Sequence, residues 1–428
     1  MGRGRPKKII EESKTEEITD IKEKMDVDYA KTKKKKEENI VVFPTGCDLL
    51  DLVVGGGLVH GFVGGTIINI VGDKSSGKTF EACEIVAASY QKYVKRLRWC
   101  YDDAESGFTF NTKHLYGLEI IPENIDDRRK SETVEEFYCN LRAFLDSLKK
   151  DEVGIYILDS LDGLSSKEIM QRGNERYTAF KKGKDFEKGS FQMGAAKFLS
   201  QEFFKNVTNE IHDKKALLII ISQTRDKIDS LFKEQTRSGG KALDFYAHTA
   251  LWLSTAAKIK KHDTQVGVTV KAHAKKSKTP RPYRTCYFTL IYDYGLDNIG
   301  SNIDYLFDLR DIRGQLKPDS KMSWDKSEDG NSRKASTGDI REFLKENKML
   351  REYIKEKKNS GTKMMDWIIS QPELYKKFSS IFGQTMKREE MITFVEKNNK
   401  QKELSERVFK KWEDGENELR SNRMRKYG

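Results

Sequence analysis

The sequence predicts an α/β protein with a mostly parallel central sheet, and three observations predict it. Runs of strand length, mostly apolar, recur at Ile67–Val71, Leu97–Glu105, Val153–Asp159 and Ala216–Gln223. Stretches of helical period separate them, at Phe80–Tyr90, Glu132–Lys150 and Lys197–His212. A glycine-rich turn joins the first strand to the first helix. Strands covered on both faces read as near-continuous apolar runs, and parallel neighbours need helical crossovers between them.

The first of these units organises the rest. Gly72-Asp-Lys-Ser-Ser-Gly-Lys-Thr79 follows a buried strand and opens a helix whose Ala82, Ile85, Val86 and Ser89 share one face. Strand, G-x-x-x-x-G-K-T loop and helix in that order make a phosphate-binding P-loop. Its backbone N–H groups at Gly72, Asp73, Lys74, Ser75, Ser76 and Gly77 turn inward, and the helix N-terminus adds partial positive charge. Lys78 is expected to reach the β- and γ-phosphates of a nucleotide, and the Thr79 hydroxyl to bind Mg²⁺. A glycine-rich turn alone would match by chance more often than one flanked by this strand and this helix.

The remaining strand ends bring chemistry to the same place. Asp159 ends an apolar strand and is expected to hold Mg²⁺ beside Thr79. Glu105 ends another strand, where a carboxylate suits a general base for water. Gln223 ends a third, a neutral donor and acceptor suited to sensing the γ-phosphate. In open α/β sheets ligands sit beyond the carboxyl ends of the strands. Each polar strand end alone is unremarkable; four at one edge are expected to form a site.

Thr249–Leu253, Val266–Ala272 and Tyr283–Tyr292 read as further strands, and the ATPase core is expected over residues 41–313. Residues 1–40 read as a basic, partly disordered N-terminal arm whose start, Gly2-Arg-Gly-Arg-Pro-Lys-Lys8, is similar to a minor-groove-binding hook. Residues 314–337 read as a linker rich in Ser, Asp, Lys and Gly, and 338–428 as a small, basic α-helical domain.

Composition bounds the function. The 428 residues are 37% hydrophobic, enough for one large domain with appendages. The formal net charge of +12 and pI near 9.1 favour a polyanionic partner. Five scattered cysteines without a C-x-x-C pair suggest a reducing compartment and no structural zinc. With no run of membrane-spanning length and no signal-peptide core, a soluble, cytoplasmic protein is expected.

At this point the sequence resembles the RecA/UvsX-type homologous-recombination ATPases, phage recombinases among them, over roughly Pro44–Arg313. The residues carrying the resemblance are Thr45–Asp51, Gly72–Thr79, Asp103-Ala-Glu105, Leu158-Asp-Ser160, Met193-Gly194, Ser222-Gln-Thr-Arg225, Gly239–Ala247 and Lys276-Ser-Lys278. The resemblance implies a RecA-like P-loop core, with Glu105 as catalytic glutamate and Gln223 linking the γ-phosphate to the DNA. Lys276 and Lys278 would reach the ATP of a neighbouring subunit in a helical filament, as arginine fingers do. It also implies a first DNA-binding loop at about 165–192 ending at Met193, and a second at about 226–240. The second follows Arg225, carries Ile228 as base-separating residue and Phe232 as an interface residue, and ends at Gly239 and Gly240.

Three departures stand out. The first loop is longer than in the bacterial proteins, with Arg172, Arg176, Lys181, Lys182, Lys184 and Lys188 interleaved with Tyr177, Phe180 and Phe186. That mixture suits backbone tracking and base stacking. Thr112 stands where bacterial members place a tyrosine against adenine, leaving the adenine contact open. The N-terminal arm and C-terminal domain do not align.

The expected function is an ATP-dependent strand-exchange recombinase that polymerises on single-stranded DNA and pairs it with homologous duplex. A single-strand-binding protein or a loader is a further partner. A hexameric helicase shares the ATPase core but would lack the Gly-Gly-Lys-Ala-Leu block and carry a larger N-terminal domain. A DNA-coating accessory protein with little turnover would not need Lys78, Thr79, Glu105, Asp159 and Gln223 all intact.

Overall fold

The computed structural model describes residues 40–107, 110–183, 194–226, 235–237, 240–279, 281–317, 321–324, 337–356, 364–365, 367–368, 370–382 and 385–419. The expectations placed on Met193, Ile228, Phe232, Gly239 and the N-terminal arm lie outside these residues.

The central sheet is built from β1 (Thr66–Gly72), β2 (Leu97–Asp103), β3 (Val153–Asp159), β4 (Leu217–Asp226), β5 (Gln235–Arg237), β6 (Thr249–Lys261), β7 (Thr264–Ser277), β8 (Thr285–Ile291) and β9 (Gly295–Asp297). Its order is β9-β8-β7-β6-β1-β4-β3-β2, with β5 paired to β4. The five strands from β6 to β2 run parallel; β7, β8 and β9 extend the sheet antiparallel. The mostly parallel α/β sheet read from the sequence is thus borne out. β1 lies at its centre with every residue from Ile67 to Gly72 buried, as its apolar run requires.

Helices cover the faces where their apolar stripes dictate. The helix Val134–Ser147 is capped by Thr133, whose side chain accepts from the Glu136 N–H. It buries Phe137, Leu141 and Leu145, spaced four apart, against Tyr156 of β3 and Phe203. Phe137 and Phe203 stack at 4.8 Å. The stretch read as one helix from Lys197 is three pieces: Gly194–Phe198, a π-turn at Leu199–Phe203 and Phe204–Asp213. The π-turn shifts the register so that Leu199, Phe203, Phe204 and Val207 all face the core.

The segment read as a linker contains an anchored strand. β10 (Lys321–Ser323) pairs antiparallel with β11 (Thr385–Lys387), and Met322 and Trp324 are buried. These two large apolar side chains set that run apart from its polar neighbours, and burying them is what fixes it. Beyond it, helices Thr337–Glu346, Leu350–Glu356 and Pro372–Phe382 close around Phe343, Leu344, Tyr353, Ile368 and Phe378. Helices Arg388–Lys397 and Gln401–Glu418 lie instead on the core. Arg388 reaches the buried Asp304 at 2.7 Å, and Ser405 donates to Asp48 at 2.6 Å.

Half-buried Glu84 and buried Glu81 of the helix Lys78–Tyr93 gather with buried Asp51 into a cluster of carboxyls. Burial pushes Glu84 up to about 7 against the opposing pull of the Leu296 N–H, and does the same to Asp51 against its bonds from Thr45. Glu81, fully buried and close to both, is pushed well above the carboxylate range. The folded pKa of Glu84 lies above its unfolded value, so its contribution is fully present below about pH 4.5 and is lost as pH rises through 7. Glu84→Gln is therefore expected to raise stability at about pH 8 by roughly 3 kcal/mol, the cost of ionising a group shifted by this much. Near pH 4.5 it should change little. Urea midpoints at the two pH values check this; an equal shift at both would mean a packing effect instead.

Candidate nucleotide site

The glycine loop at the end of β1 is shaped by close approach. A Cβ on Gly72 would come within 2.4 Å of Ser76 Oγ and 2.6 Å of the Leu253 carbonyl. Gly77 sits at φ +88°, which favours glycine, and leads directly into the helix Lys78–Tyr93. No side chain caps that helix, so its first-turn N–H groups face the loop. Ser76 Oγ donates to the Asp73 carbonyl at 2.8 Å, closing the loop from inside, while Asp73, Lys74 and Ser75 are exposed at its rim. Lys78 Nζ donates to the same Asp73 carbonyl at 2.7 Å. Burial pushes the Lys78 ammonium down, while Asp159 and Glu105 pull it back up.

Two side-chain pairs gather beside the loop. The Thr79 hydroxyl donates to Asp159 Oδ2 at 2.7 Å, and the Tyr101 hydroxyl reaches the same oxygen at 2.9 Å. Burial pushes Asp159 up, opposed by those two hydrogen bonds. A carboxylate and a threonine hydroxyl side by side suit Mg²⁺, which takes one or two protein oxygens and completes its shell with water and phosphate. The residues present therefore fit the ion. Next to them, Glu105 Oε1 accepts from Gln223 Nε2 at 2.8 Å and from the Ser160 hydroxyl.

The four strand ends named from sequence thus meet: β1 supplies Lys78 and Thr79, β2 leads to Glu105, β3 ends at Asp159 and β4 carries Gln223. Their register explains it, since Asp103 lies beside Asp159 and Gly72 beside Gln223.

Three further contacts were not read from the sequence. Ser160 holds Glu105, as above. Asp162 Oδ2 accepts the Gln223 backbone N–H at 2.8 Å. Thr224 Oγ1 donates to the carboxylate of Asp73, tying β4 to the loop. The 3₁₀ turn Leu161–Gly163 carries Asp162 back over the sheet edge, and Gly163 is needed there because a Cβ would lie 2.7 Å from the Ala104 carbonyl.

The other expected residues lie elsewhere. Arg225 is within β4, its backbone paired with Thr236 of β5, the two strands running antiparallel. Gly240, exposed at φ +57°, opens the helix Gly240–Tyr246. The stretch expected as a first loop is in large part a helix, Lys167–Lys181, capped by Ser166. It buries none of its residues. Arg176 and Lys182 are exposed there, as are Tyr177 and Phe180, and Lys181 sits 4.5 Å over the Tyr177 ring. Thr112 is buried and accepts from the Ile120 and Ile121 N–H groups, so it is a structural residue. Phe80, next to Thr79, stacks on Phe110 at 4.0 Å.

Lys276 and Lys278 are not at the nucleotide edge of their own chain. Lys276 pairs with Ala250, which pairs with Asn69, three residues before Gly72. That sets it about 10 Å back along the strands and two strands across. Its ammonium donates to the Phe245 carbonyl at 3.0 Å and to that of Asp244. Burial pushes it down, with Lys278 adding to the shift.

A glycine loop between a buried parallel strand and a helix, with a neighbouring strand's carboxylate on its threonine, defines a P-loop α/β fold. Within that class the chain is similar to proteins named RecA. Residues 178–297 match the family model of the RecA N-terminal domain. Protein RecA of Bifidobacterium longum is 26% identical over 322 residues, covering 75% of this chain and 73% of that one. Protein RecA of Campylobacter fetus is 27% identical over 345 residues, covering 79% and 90%, and that of Chloroherpeton thalassium 28% over 271 residues, covering 63% and 69%. A solved structure of the RadB recombinase aligns with 59% of this chain at 13% identity and a TM-score of 0.37. Among the described residues no helix is long and apolar enough to cross a membrane.

Proposed function

We propose that this chain is a DNA-dependent ATPase that forms helical filaments on single-stranded DNA and exchanges that strand with a homologous duplex, in the cytoplasm. The observation that carries the reading is the position of Gln223. Its side chain bonds the carboxylate of Glu105, and its chain runs on along β4, which pairs with β5. A change at the phosphate end is therefore two residues away from Arg225, the first residue of that strand proposed to meet DNA. The similarity to proteins named RecA supports the same reading.

In this reading the loop Gly72–Gly77 and Lys78 hold the ATP phosphates, and Thr79 and Asp159 hold Mg²⁺, which neutralises charge on them. Glu105 takes a proton from water as the water oxygen attacks the γ-phosphorus; the bond to the bridging oxygen breaks, releasing ADP and phosphate. Gln223 reports γ-phosphate loss to the proposed DNA-binding segments, where Arg225, Ile228, Gly239 and Gly240 meet the strand together with Met193, Arg176 and Lys182. Lys276 and Lys278 complete a neighbour's site. Recombination and repair are the processes served, with a single-strand-binding protein or loader as auxiliary partner.

ATP hydrolysis measured with and without single-stranded DNA tests it. Turnover is expected to rise at least tenfold with DNA, on filaments seen by electron microscopy. DNA affinity should fall with salt at a log–log slope of about −0.7 per phosphate neutralised. Binding to DNA without turnover would leave a coating protein; closed rings would leave a helicase.

A further inference from the structure

The strand that carries Lys276 ends in a turn that the C-terminal helix grips. After β7 the chain passes through Lys278 and Thr279 to Arg281, exposed Tyr283 and Arg284 before β8. The turn is closed by backbone bonds: Tyr283 N–H to the Ala274 carbonyl and Ala274 N–H to the Arg284 carbonyl, both at 3.0 Å. Two of its side chains then reach out to one buried carboxylate. Arg284 forks onto Glu416, with Nη2 donating to Oε2 at 2.7 Å and Nε donating to Oε1. Arg281 Nε lies 3.5 Å from the same Oε2, and its Nη1 donates to Glu413 at 3.3 Å. Glu416 is 7% exposed.

The helix bearing Glu413 and Glu416, Gln401–Glu418, is itself fixed to the core. Lys411 donates to the Tyr305 and Leu306 carbonyls, each at 3.0 Å. Ser405 bonds Asp48, and Trp412 packs beside Tyr305. A planar fork on a carboxylate fixes angle as well as distance. The turn is thus held at both ends, by its own strand pairing and by an element 132 residues later in the chain.

We propose that Glu416 is a positioning residue for Lys276 and Lys278. Through Arg284 and Arg281 it fixes the angle at which the end of β7 presents the two lysines, and so ties their action to the docking of the C-terminal helix. This rests on the function proposed above, in which the lysines serve a neighbouring subunit. Ordering such a segment in advance matters because a small misplacement of a charge-stabilising group costs turnover more than it costs substrate binding.

The test is steady-state ATP hydrolysis on single-stranded DNA by the full chain, with nucleotide affinity read separately from a fluorescent ATP analogue. The variants are Glu416→Gln, Arg284→Lys, Lys276→Ala and the charge exchange Glu416→Arg with Arg284→Glu. Glu416→Gln is expected to lower kcat about tenfold or more with the analogue's affinity within about twofold of wild type. Arg284→Lys, which keeps the charge and loses the fork, should give a smaller loss, and the exchange should recover part of the rate. Should Glu416→Gln fail to fold, Arg284→Lys carries the same comparison. A wild type with DNA-stimulated turnover that Lys276→Ala abolishes, but that Glu416→Gln and Arg284→Lys leave unchanged, overturns the proposal alone. Loss of nucleotide affinity in step with kcat also overturns it, as the sign of a general structural role. A wild type without DNA-stimulated turnover overturns the underlying function instead.

Discussion

Replacing Glu105 with glutamine is expected to lower ATP turnover on single-stranded DNA by about 10²–10⁴-fold, the usual worth of a positioned general base, with nucleotide binding and DNA coating intact. The geometry makes this a clean substitution. Glu105 Oε1 accepts from the Gln223 amide at 2.8 Å and from Ser160. A glutamine carbonyl oxygen accepts both bonds in the same place, so position is kept and basicity alone is removed. The phosphate-binding groups, Lys78 and the loop backbone, are untouched. Glu105→Gln filaments should therefore assemble with ATP and persist, because the step that empties the site is slow. Retention of turnover within about threefold would remove Glu105 from the chemistry and leave Ser160 or a water chain to supply the base. A loss of nucleotide affinity of similar size would show that Glu105 holds the site rather than activates water.

The parts of this site that could be read in the sequence are those that sit at the end of a recognisable run. Lys78, Thr79, Asp159 and Gln223 each follow or close an apolar strand, and the doubly covered sheet brings such ends to one edge. What could not be read depends on partners far away in the chain. Asp162 serves the Gln223 N–H, 61 residues on, and Thr224 serves Asp73, 151 residues back; nothing in either residue's neighbourhood marks the pairing.

The helix Lys167–Lys181 escaped for the opposite reason. Its apolar residues, Ile169, Met170, Tyr177 and Phe180, are exposed and face no core, and the charged residues among them make the run read as a solvated loop. Its capping serine was the only mark it carried, and Ser166 is one of many serines in polar stretches. The anchored strand Lys321–Ser323 was hidden by its composition. Two buried residues, Met322 and Trp324, fix it within a run whose other residues are polar. In the antiparallel wing, β7 and β8 read correctly as strands but not as a direction change, and the short β9 was not read at all. That change rests on a tight turn at His262 and Asp263, both with positive φ, and neither residue is one whose presence compels such a turn.

The largest effect is expected from Lys276, because its place in the chain separates two mechanisms that a single mutant cannot. Within one subunit it lies on the trailing side of the sheet, level with Asn69, with its ammonium on the carbonyls of Asp244 and Phe245. A lysine side chain cannot reach from there to phosphates beyond Gly72, so any charge it lends must fall on another subunit's nucleotide. Lys276→Ala is then expected to lower turnover by on the order of 10³-fold, as loss of a charge-stabilising finger does. Glu105→Gln is inactive for its own reason. Mixed in equal amounts on DNA, the two inactive proteins should regain activity. Wherever an intact Glu105 faces an intact Lys276 across an interface, a complete site forms, and random assembly makes about a quarter of interfaces of that kind. Recovery near a quarter of wild-type turnover, lost when either variant is omitted, would establish the lysine as acting between subunits. No recovery, with both variants shown by microscopy to share filaments, would mean that Lys276 acts within its own chain, by holding the Gly240–Tyr246 helix through those two carbonyls, and that the neighbour contributes nothing to hydrolysis.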